Sequence, residues 1–569
     1  MERRPVNRRD FLFGSLTLAL SAKPHLRQVN YRTDIAVIGG GVGGFAATLA
    51  ALQSGSRVVL TEETDWIGGQ LTAQAIPPDE HPWIEDFGCT GSYRLYRNAV
   101  RDYYRNHYPL TPSARARQRL NPGNGMVSKL THEFQVSVAV LEEMLAPYVT
   151  SGQLVVLLEH TPISAGTHRD RVNQVAVRDL KAGLDRTITA RYFIDATELG
   201  DLLPVTGTEF ITGSEARSQT GEMHATEKAE PANNQCFTYS FALDHLEGED
   251  HTIDRPADYA RWRSYVPALS PPWTGKLFSW TALNPQAMKP EERWLSPNPA
   301  ADKTTWSNLW LYRRIADRSN FRAGAYASDI TLVNWLQNDF WLGDILTVDA
   351  ETRQRRLDAA KQQSLSLLYW MQTEAPRPDG GTGFSGLRLR PDVMGTSDGL
   401  AKAAYIRESR RIHAEFTITE AHVGTQMRMQ ETGAALDRVR AQTFADTVGI
   451  GAYRIDLHPS AAGTNIIDVS SLAFQIPLGA LLPVRVDNLL PACKNIGTTH
   501  ITNGCYREHP TEWGIGEAAG TLAAYAIANN VPPREVGTNK KHLRGLQAAL
   551  RKRHVQLEWP ANIHSVEWT

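Results

Sequence analysis

The sequence predicts an α/β fold containing a Rossmann-like dinucleotide-binding domain, and three observations near the N-terminal end predict it. A short apolar run from Thr33 to Ile38 leads directly into glycines spaced GxGxxG at Gly39, Gly41 and Gly44. An Ala/Leu-rich stretch from Phe45 to Ser54 follows, closed by Gly55. A second strand-like run, Arg57 to Thr61, then ends on an acid, Glu62. Strand, glycine turn, helix, strand and carboxylate in this order make a βαβ unit suited to a pyrophosphate and a ribose.

Each piece has a mechanical reason. The run before the glycines is rich in β-branched residues, as a buried parallel strand requires. Gly39 permits the tight turn, Gly41 lets backbone amides approach a pyrophosphate, and Gly44 lets helix and strand pack closely, with Gly43 in the same turn. The helix start presents its positive dipole end to the phosphates. Glu62 follows Gly44 by 18 residues, where a carboxylate accepts ribose hydroxyls, and Glu63 takes this role if the strand ends one residue later. The glycine spacing alone is weak evidence, since Gly381, Gly383 and Gly386 repeat it in RPDGGTGFSGLRLRPD. That copy follows a proline-rich turn rather than a strand and precedes charged residues rather than a helix, so it reads as a loop.

The rest of the composition narrows the function. The 569 residues are 42% hydrophobic and 21% charged, which is globular, and 60 basic against 61 acidic residues leave no nucleic-acid footprint. The four cysteines form no CxxC pair, which argues against zinc ribbons, thioredoxin-type motifs and clustered iron–sulfur ligation. Tryptophan is in surplus at 14 residues, most of them between Trp262 and Trp370; indoles pack cores and also stack on sugar rings. The first residues, MERRPVNRRDFLFGSLTLALSAKPH, combine a basic start with an apolar run from Phe11 to Ala22. That run is shorter than the ~20 residues a bilayer span needs. Residues 1–32 therefore read as a signal peptide and short linker, and Arg8 and Arg9 resemble the twin-arginine export signal. The expectation is an exported, periplasmic or extracellular protein with no stable membrane span.

Beyond Glu62 comes TDWIGGQLT, with Gly68, Gly69 and Gln70. It resembles the second phosphate-side glycine motif of FAD enzymes in the glutathione-reductase-like and fumarate-reductase-like superfamily, which favours FAD over a nicotinamide. RYFIDATELGDLLPVTG (191–207), YIRESRRI (405–412), VGIGAYRIDLHPS (448–460) and NLLPACKNIGTTHITNGCYREHPTEWGIGEAAG (488–520) resemble blocks of the FAD-dependent oxidoreductases in the xanthan-lyase-like branch. These are relatives of the succinate dehydrogenase and fumarate reductase flavoproteins. The resemblance runs in blocks from about Thr33 to about Asn530. It implies an FAD domain built from discontinuous segments, 33–207 and 473–530, with an α+β substrate or cap domain at 208–472 and a C-terminal extension at 531–569. Strand-like runs at Leu154–Thr161, Val172–Asp179 and Arg191–Thr197 support the first segment, and an amphipathic helix is expected over Ala350–Glu374. The histidine–threonine motif that tethers FAD covalently in fumarate reductases has no clear counterpart, so noncovalent FAD is expected, with Cys89 the less favoured attachment point.

The resemblance and the local pattern point to a helix starting near Gly514, with Gly514, Gly516 and Glu517 facing the cofactor and stabilising reduced flavin. The loop before it holds His500, Arg507, Glu508, His509 and Glu512. His509 is the first candidate base and His500 the second, with Arg507 orienting an anionic group; the alternative is that all three only hold the loop. No metal is expected, since no nearby Asp/His cluster completes a ligand set. In YIRESRRI, read as a helix, Arg407 and Arg411 share a face and are candidates for substrate contact, as is His458 in RIDLHPS. Gly395-Thr-Ser397-Asp-Gly399 fits the GxSxG elbow of serine hydrolases, but Pro391 argues against the strand that motif needs. The expected function is hydride transfer between FAD and a polar small molecule, a hydroxy compound or carbohydrate. The alternatives are reduction of an unsaturated acid and a non-enzymatic flavin- or carbohydrate-binding scaffold. The electron acceptor and the oligomeric state stay open.

Overall fold

Five parallel strands form the sheet that the glycine motif predicts, seen in a computed structural model that describes residues 30–297 and 307–563. The predicted leader and its paired arginines lie outside the described residues. The strands are β1 (Ile35–Ile38), β2 (Val58–Glu62), β3 (Leu154–Leu158), β4 (Tyr192–Asp195) and β5 (Leu489–Pro491), and they lie in the order β5-β4-β1-β2-β3. Helix α1 (Val42–Gln53) crosses from β1 to β2. The register aligns Ile38 with Thr61 on one side and Asp195 on the other, and Asp195 with Pro491. Four strands therefore end level, and whatever follows them meets at one edge of the sheet.

Both faces of this sheet are apolar, as a fully covered parallel sheet requires. Ile35 and Val37 point into the cluster shared with α1, whereas Ala36 and Ile38 pack against Val172, Val175, Val177 and Ile188 on the opposite side. Those partners belong to a second sheet of antiparallel strands, His160–His168, Arg171–Asp179 and Asp185–Thr189, edged by Asn30–Arg32. The run expected as one strand over Leu154–Thr161 divides at Glu159, whose φ of 57° turns the chain from the first sheet into the second.

On the helical face α1 lies against α2 (His509–Asn529), which comes from the other end of the chain. Small residues make the approach possible. A Cβ on Gly516 would penetrate the Gly43 carbonyl oxygen and lie 2.6 Å from its carbon, and one on Gly520 would meet Ala47 in the same way. Helix α2 starts at His509, five residues before the expected point, because Pro510 sits in the first turn, where a missing N–H is harmless. Gly514, Gly516 and Glu517 are consequently interior to the helix. Glu517 accepts a hydrogen bond from the Ser92 hydroxyl (2.5 Å) and pairs with Arg553 (3.1 Å), so it braces the helix rather than facing a cofactor.

Residues between β4 and β5 build antiparallel sheets around the helix Ala350–Thr373, which the periodicity predicted and Asp349 caps through the Thr352 amide. Trp262, Trp273, Trp280, Trp310, Trp335, Trp341 and Trp370 are buried in one cluster there. They fill a core, and the idea that they form a sugar-stacking surface falls away. The YIRESRRI segment is not a helix but two short strands, Tyr405–Ile406 and Arg411–Ile412, flanking an extended turn. Each strand pairs with a distant partner, and tertiary pairing overrides the local helical pattern. The Gly395–Gly399 stretch is a pair of turns after a short helix, without the strand a nucleophile elbow needs. Among the described residues no helix is long and apolar enough to cross a membrane.

Candidate active site

The edge where β1, β2, β4 and β5 end opens into a shallow cleft lined by Gly39, Gly41, Glu62, Glu63, Thr197 and Glu198. This is where open parallel sheets bind ligands. Gly39 turns the chain with φ of 100°, and a Cβ there would collide with the Ala196 carbonyl. Glu62 is buried at the tip of β2. Its Oε2 accepts the Gly40 N–H (3.0 Å), and its Oε1 accepts the Thr64 N–H and hydroxyl (both 2.9 Å). Burial pushes its pKa up to about 7. Glu63 is exposed at the cleft's rim.

The second glycine pair closes onto the first. Gly68 N–H bonds Gly40 O (2.7 Å), and a Cβ on Gly41 or on Gly69 would lie 2.6 or 2.7 Å from the same atom, Glu198 Oε1. Two glycine backbones thus admit an oxyanion at close range. Beside it Lys494, fully buried, pairs with Glu198 and lies 3.6 Å from Glu512. Despite the burial that opposes its charge, Glu198 and Glu512 hold Lys494 in the ammonium form. Neither Glu198 nor Lys494 was singled out from the sequence, although a lone lysine directly after the buried run LLPAC is a detectable signal.

Gln70 ties this cradle to the C-terminal loop, donating through Nε2 to Arg507 O (3.1 Å) and Glu512 Oε2 (3.0 Å). Every residue from His500 to Glu512 is buried. Thr499 caps the helix His500–Tyr506, and Arg507 ends it. His500 Nδ1 meets the Glu408 carboxylate (2.9 Å), which also pairs with Arg411; Arg411 in turn pairs with Glu215 (2.9 Å). His509 Nδ1 accepts the Asp79 N–H (3.0 Å), and burial drives its pKa down to about 3. That ring is neutral and carries its proton on Nε2, so it lacks the lone pair expected of a base.

A second imidazole lies in the same region. His458 Nδ1 contacts Asp339 (2.6 Å) and its Nε2 lies 3.6 Å from Asp456. Burial and Arg407 oppose its charge, but Asp339 and Asp456 hold its pKa above the ordinary imidazole value. Arg407 pairs with Asp339 (3.0 Å), and Arg507 reaches Asp456 (3.2 Å), Glu508 (2.7 Å) and the Tyr405 hydroxyl (2.6 Å). Arg313 pairs with Asp79 (3.3 Å). Of the candidates, His458, Arg407 and Arg507 converge here, while His500 and Arg411 share a neighbouring network through Glu408. The structure also brings His509 within 4.8 Å of Asp79 and Glu508, a cluster that spacing along the chain hid, with Arg313 placing a cation among these acids. Cys236, Asp339 and His458 converge similarly, around Arg407.

The family profile described as FAD dependent oxidoreductase matches residues 34–550. The chain belongs to the FAD-dependent oxidoreductase family. FAD is therefore the cofactor, and the residues of the glycine cradle fit such a group. The oxyanion seat between Gly41 and Gly69 has Lys494 beside it, and Gln70 Oε1, Glu512 Oε1, Arg507 Nε and His509 Nε2 are buried polar atoms without partners among the described residues. Among solved structures, the chain is similar to the rebeccamycin biosynthetic enzyme RebC with reduced flavin (15% identity over 38% of this chain and 39% of that one, TM-score 0.22). It is also similar to the flavin-dependent monooxygenase PieE in complex with FAD and substrate (15%, 38% and 35%, 0.22). L-proline dehydrogenase from P.horikoshii matches in the same range (16%, 36% and 30%, 0.18). The matches span less than two fifths of each solved chain. A comparison with curated proteins finds no match.

Proposed function

We propose that this chain is an exported oxidoreductase that transfers hydride between a polar hydroxy compound and noncovalently held FAD. The observation that carries the reading is the bridge made by Gln70. It joins the glycine cradle to Arg507, and Arg507 joins through Asp456 to His458, so cofactor-holding and proton-handling groups form one connected unit. Bound FAD supplies the hydride acceptor or donor. The backbones of Gly39, Gly41 and Gly69 with Lys494 would hold its pyrophosphate, and Glu62 its ribose. The Cys89 thiol is buried, and its pKa is pushed up to about 11, which leaves it protonated and unsuited to a covalent link.

His458, fixed at Nδ1 by Asp339, moves the substrate proton at Nε2. Arg507 orients the substrate, and His509 donates a hydrogen bond from Nε2. In the reverse direction the raised pKa of His458 favours its acid form, which keeps reduction of an unsaturated acid as a second reading of the same residues. Export rests on the leader read from the sequence, and the xanthan-lyase-like branch on the blocks quoted above. Anaerobic mixing of the purified protein with hydroxy compounds, followed by flavin absorbance, tests the function. His458→Asn is expected to slow flavin reduction about 10²-fold or more while FAD stays bound. Full-rate reduction by this variant would remove His458 from the chemistry. A flavin that no hydroxy compound reduces and no enoate reoxidises would favour a binding scaffold. Colour in the supernatant after acid precipitation identifies noncovalent FAD, and colour in the pellet a covalent link.

A further inference from the structure

Building on that oxidoreductase reading, we propose that the substrate carries a carboxylate, docked among Arg313, Arg407 and Arg507 beside His458. Four buried N–H groups in this cluster have no acceptor among the described residues: Nε of each arginine and Nε2 of His509. The cluster is continuous. Arg407 and Arg507 both stand over the Tyr405 ring, at 4.6 and 6.0 Å, and Arg507 touches Glu508, which lies with Asp79, the partner of Arg313. A buried donor left unpaired is destabilising, so four in one place mark a region shaped for an acceptor-rich group.

Charge points the same way. The cations are Arg313, Arg407, Arg507 and His458, and the acids are Asp79, Asp339, Asp456 and Glu508. They balance only if Glu508 is ionised. Burial raises the Glu508 pKa to about 8; Arg507 and Arg313 work against that rise, and Asp79 and Asp456 add to it. With His458 protonated and Glu508 neutral, the cluster holds one surplus positive charge, which a single carboxylate completes. Guanidinium and carboxylate also match in shape, each offering two parallel hydrogen-bonding positions. Solvent reaches the cluster at Asp456 and His458, whose side chains are 26% and 20% exposed against 3% for Arg507. A neutral polyol brings as many donors as acceptors and leaves the surplus charge in place.

The test uses the FAD-loaded protein and two probes with one carbon skeleton, tartrate and threitol, with the flavin absorbance perturbation as readout. Tartrate is expected to bind at least about tenfold more tightly than threitol at pH 7. Its affinity falls as pH rises through about 8, where Glu508 ionises and repels it. Glu508→Gln, neutral at every pH, is expected to shrink that fall to the part His458 contributes as it loses its proton, and Arg507→Gln to weaken tartrate about tenfold without changing threitol. If Arg507→Gln fails to fold, the pH series on the unaltered protein and on Glu508→Gln still decides. Equal affinity for the two probes, or tartrate binding that strengthens above pH 8, would overturn the proposal and leave the oxidoreductase reading standing. Failure of the protein to take up FAD would overturn both.

Discussion

Gly516→Ala should uncouple the cofactor site without touching it. The added Cβ would overlap the Gly43 carbonyl oxygen and lie 2.6 and 2.7 Å from Gly43 C and Cα, where ordinary contact needs about 3.4 Å or more. These are backbone atoms of α1, so no side chain can swing aside, and the two helices must move apart by several tenths of an ångström or more. Overpacking of this kind typically costs about 1–3 kcal/mol. The displaced element begins at Val42, directly after the Gly39–Gly41 turn, so FAD affinity should fall about tenfold for each ~1.4 kcal/mol of the penalty that is expressed at the cradle. Gly514→Ala is the control: in the same helix, its Cβ meets only Ile476 and Thr90 side chains at 3.7 and 3.9 Å. That variant should gain about 0.4–1 kcal/mol from reduced chain entropy. Thermal unfolding of the FAD-stripped proteins and FAD titration by flavin fluorescence measure both effects. Gly516→Ala as stable and as tight for FAD as the parent would refute the close packing of α1 on α2.

Two further predictions follow from the carboxylates. Glu62→Gln replaces an acceptor-only group that meets three donors with an amide that has one acceptor oxygen; stability should drop by about 1–3 kcal/mol and FAD should bind at least tenfold more weakly, read by melting and by titration. Glu62, Asp195, Glu222 and Glu512 all have pKa values raised by burial to about 7, so between the unfolded carboxylate value and 7 the folded chain binds more protons than the unfolded one. Stability contributed by these groups is present at low pH and is lost as pH rises across that window. Asp339, held low by Arg407 and His458 despite its burial, contributes in the opposite sense, and its share disappears in acid. Melting temperature of the FAD-stripped protein should therefore peak near pH ~5. A steady rise from pH 5 to 8 would contradict the burial of these groups.

The nucleotide-binding half was legible because its signals are local. A buried strand, a glycine turn and an acid at the next strand end lie within thirty residues of one another, and Gly39, Gly41 and Glu62 fall at the cleft. The second glycine pair closes onto the first at Gly40 and Glu198, and Gln70 has partners that no spacing reveals. What failed has a common cause. Arg407 and Arg411 sit on a helical repeat, yet Ile406 beside Arg407 pairs with Phe237 and Arg411 itself with Ile211, both far away in sequence. Gly514 to Gly520 look like a flavin-facing helix start because they are small and glycine-rich, but the smallness serves helix contact with Gly43 and Ala47. His509 looked like a base until Asp79, 430 residues away, took its lone pair. Arg313 and Asp339 carry no local mark at all.

The mutual support of α1 and α2 also orders events during synthesis. Helix α1 leaves the ribosome long before α2, which ends at Asn529, and the strand before α2 joins the sheet only at Pro491. Until then, the face of α1 that includes Gly43 and Ala47 has no cover, and Lys494 is not yet beside the cradle. A nascent chain thus holds half a grip for most of its translation, with apolar surface exposed to chaperones and to itself. FAD capture belongs to the finished polypeptide, and any truncation upstream of α2 should yield not a weaker flavoprotein but one that never acquires its flavin.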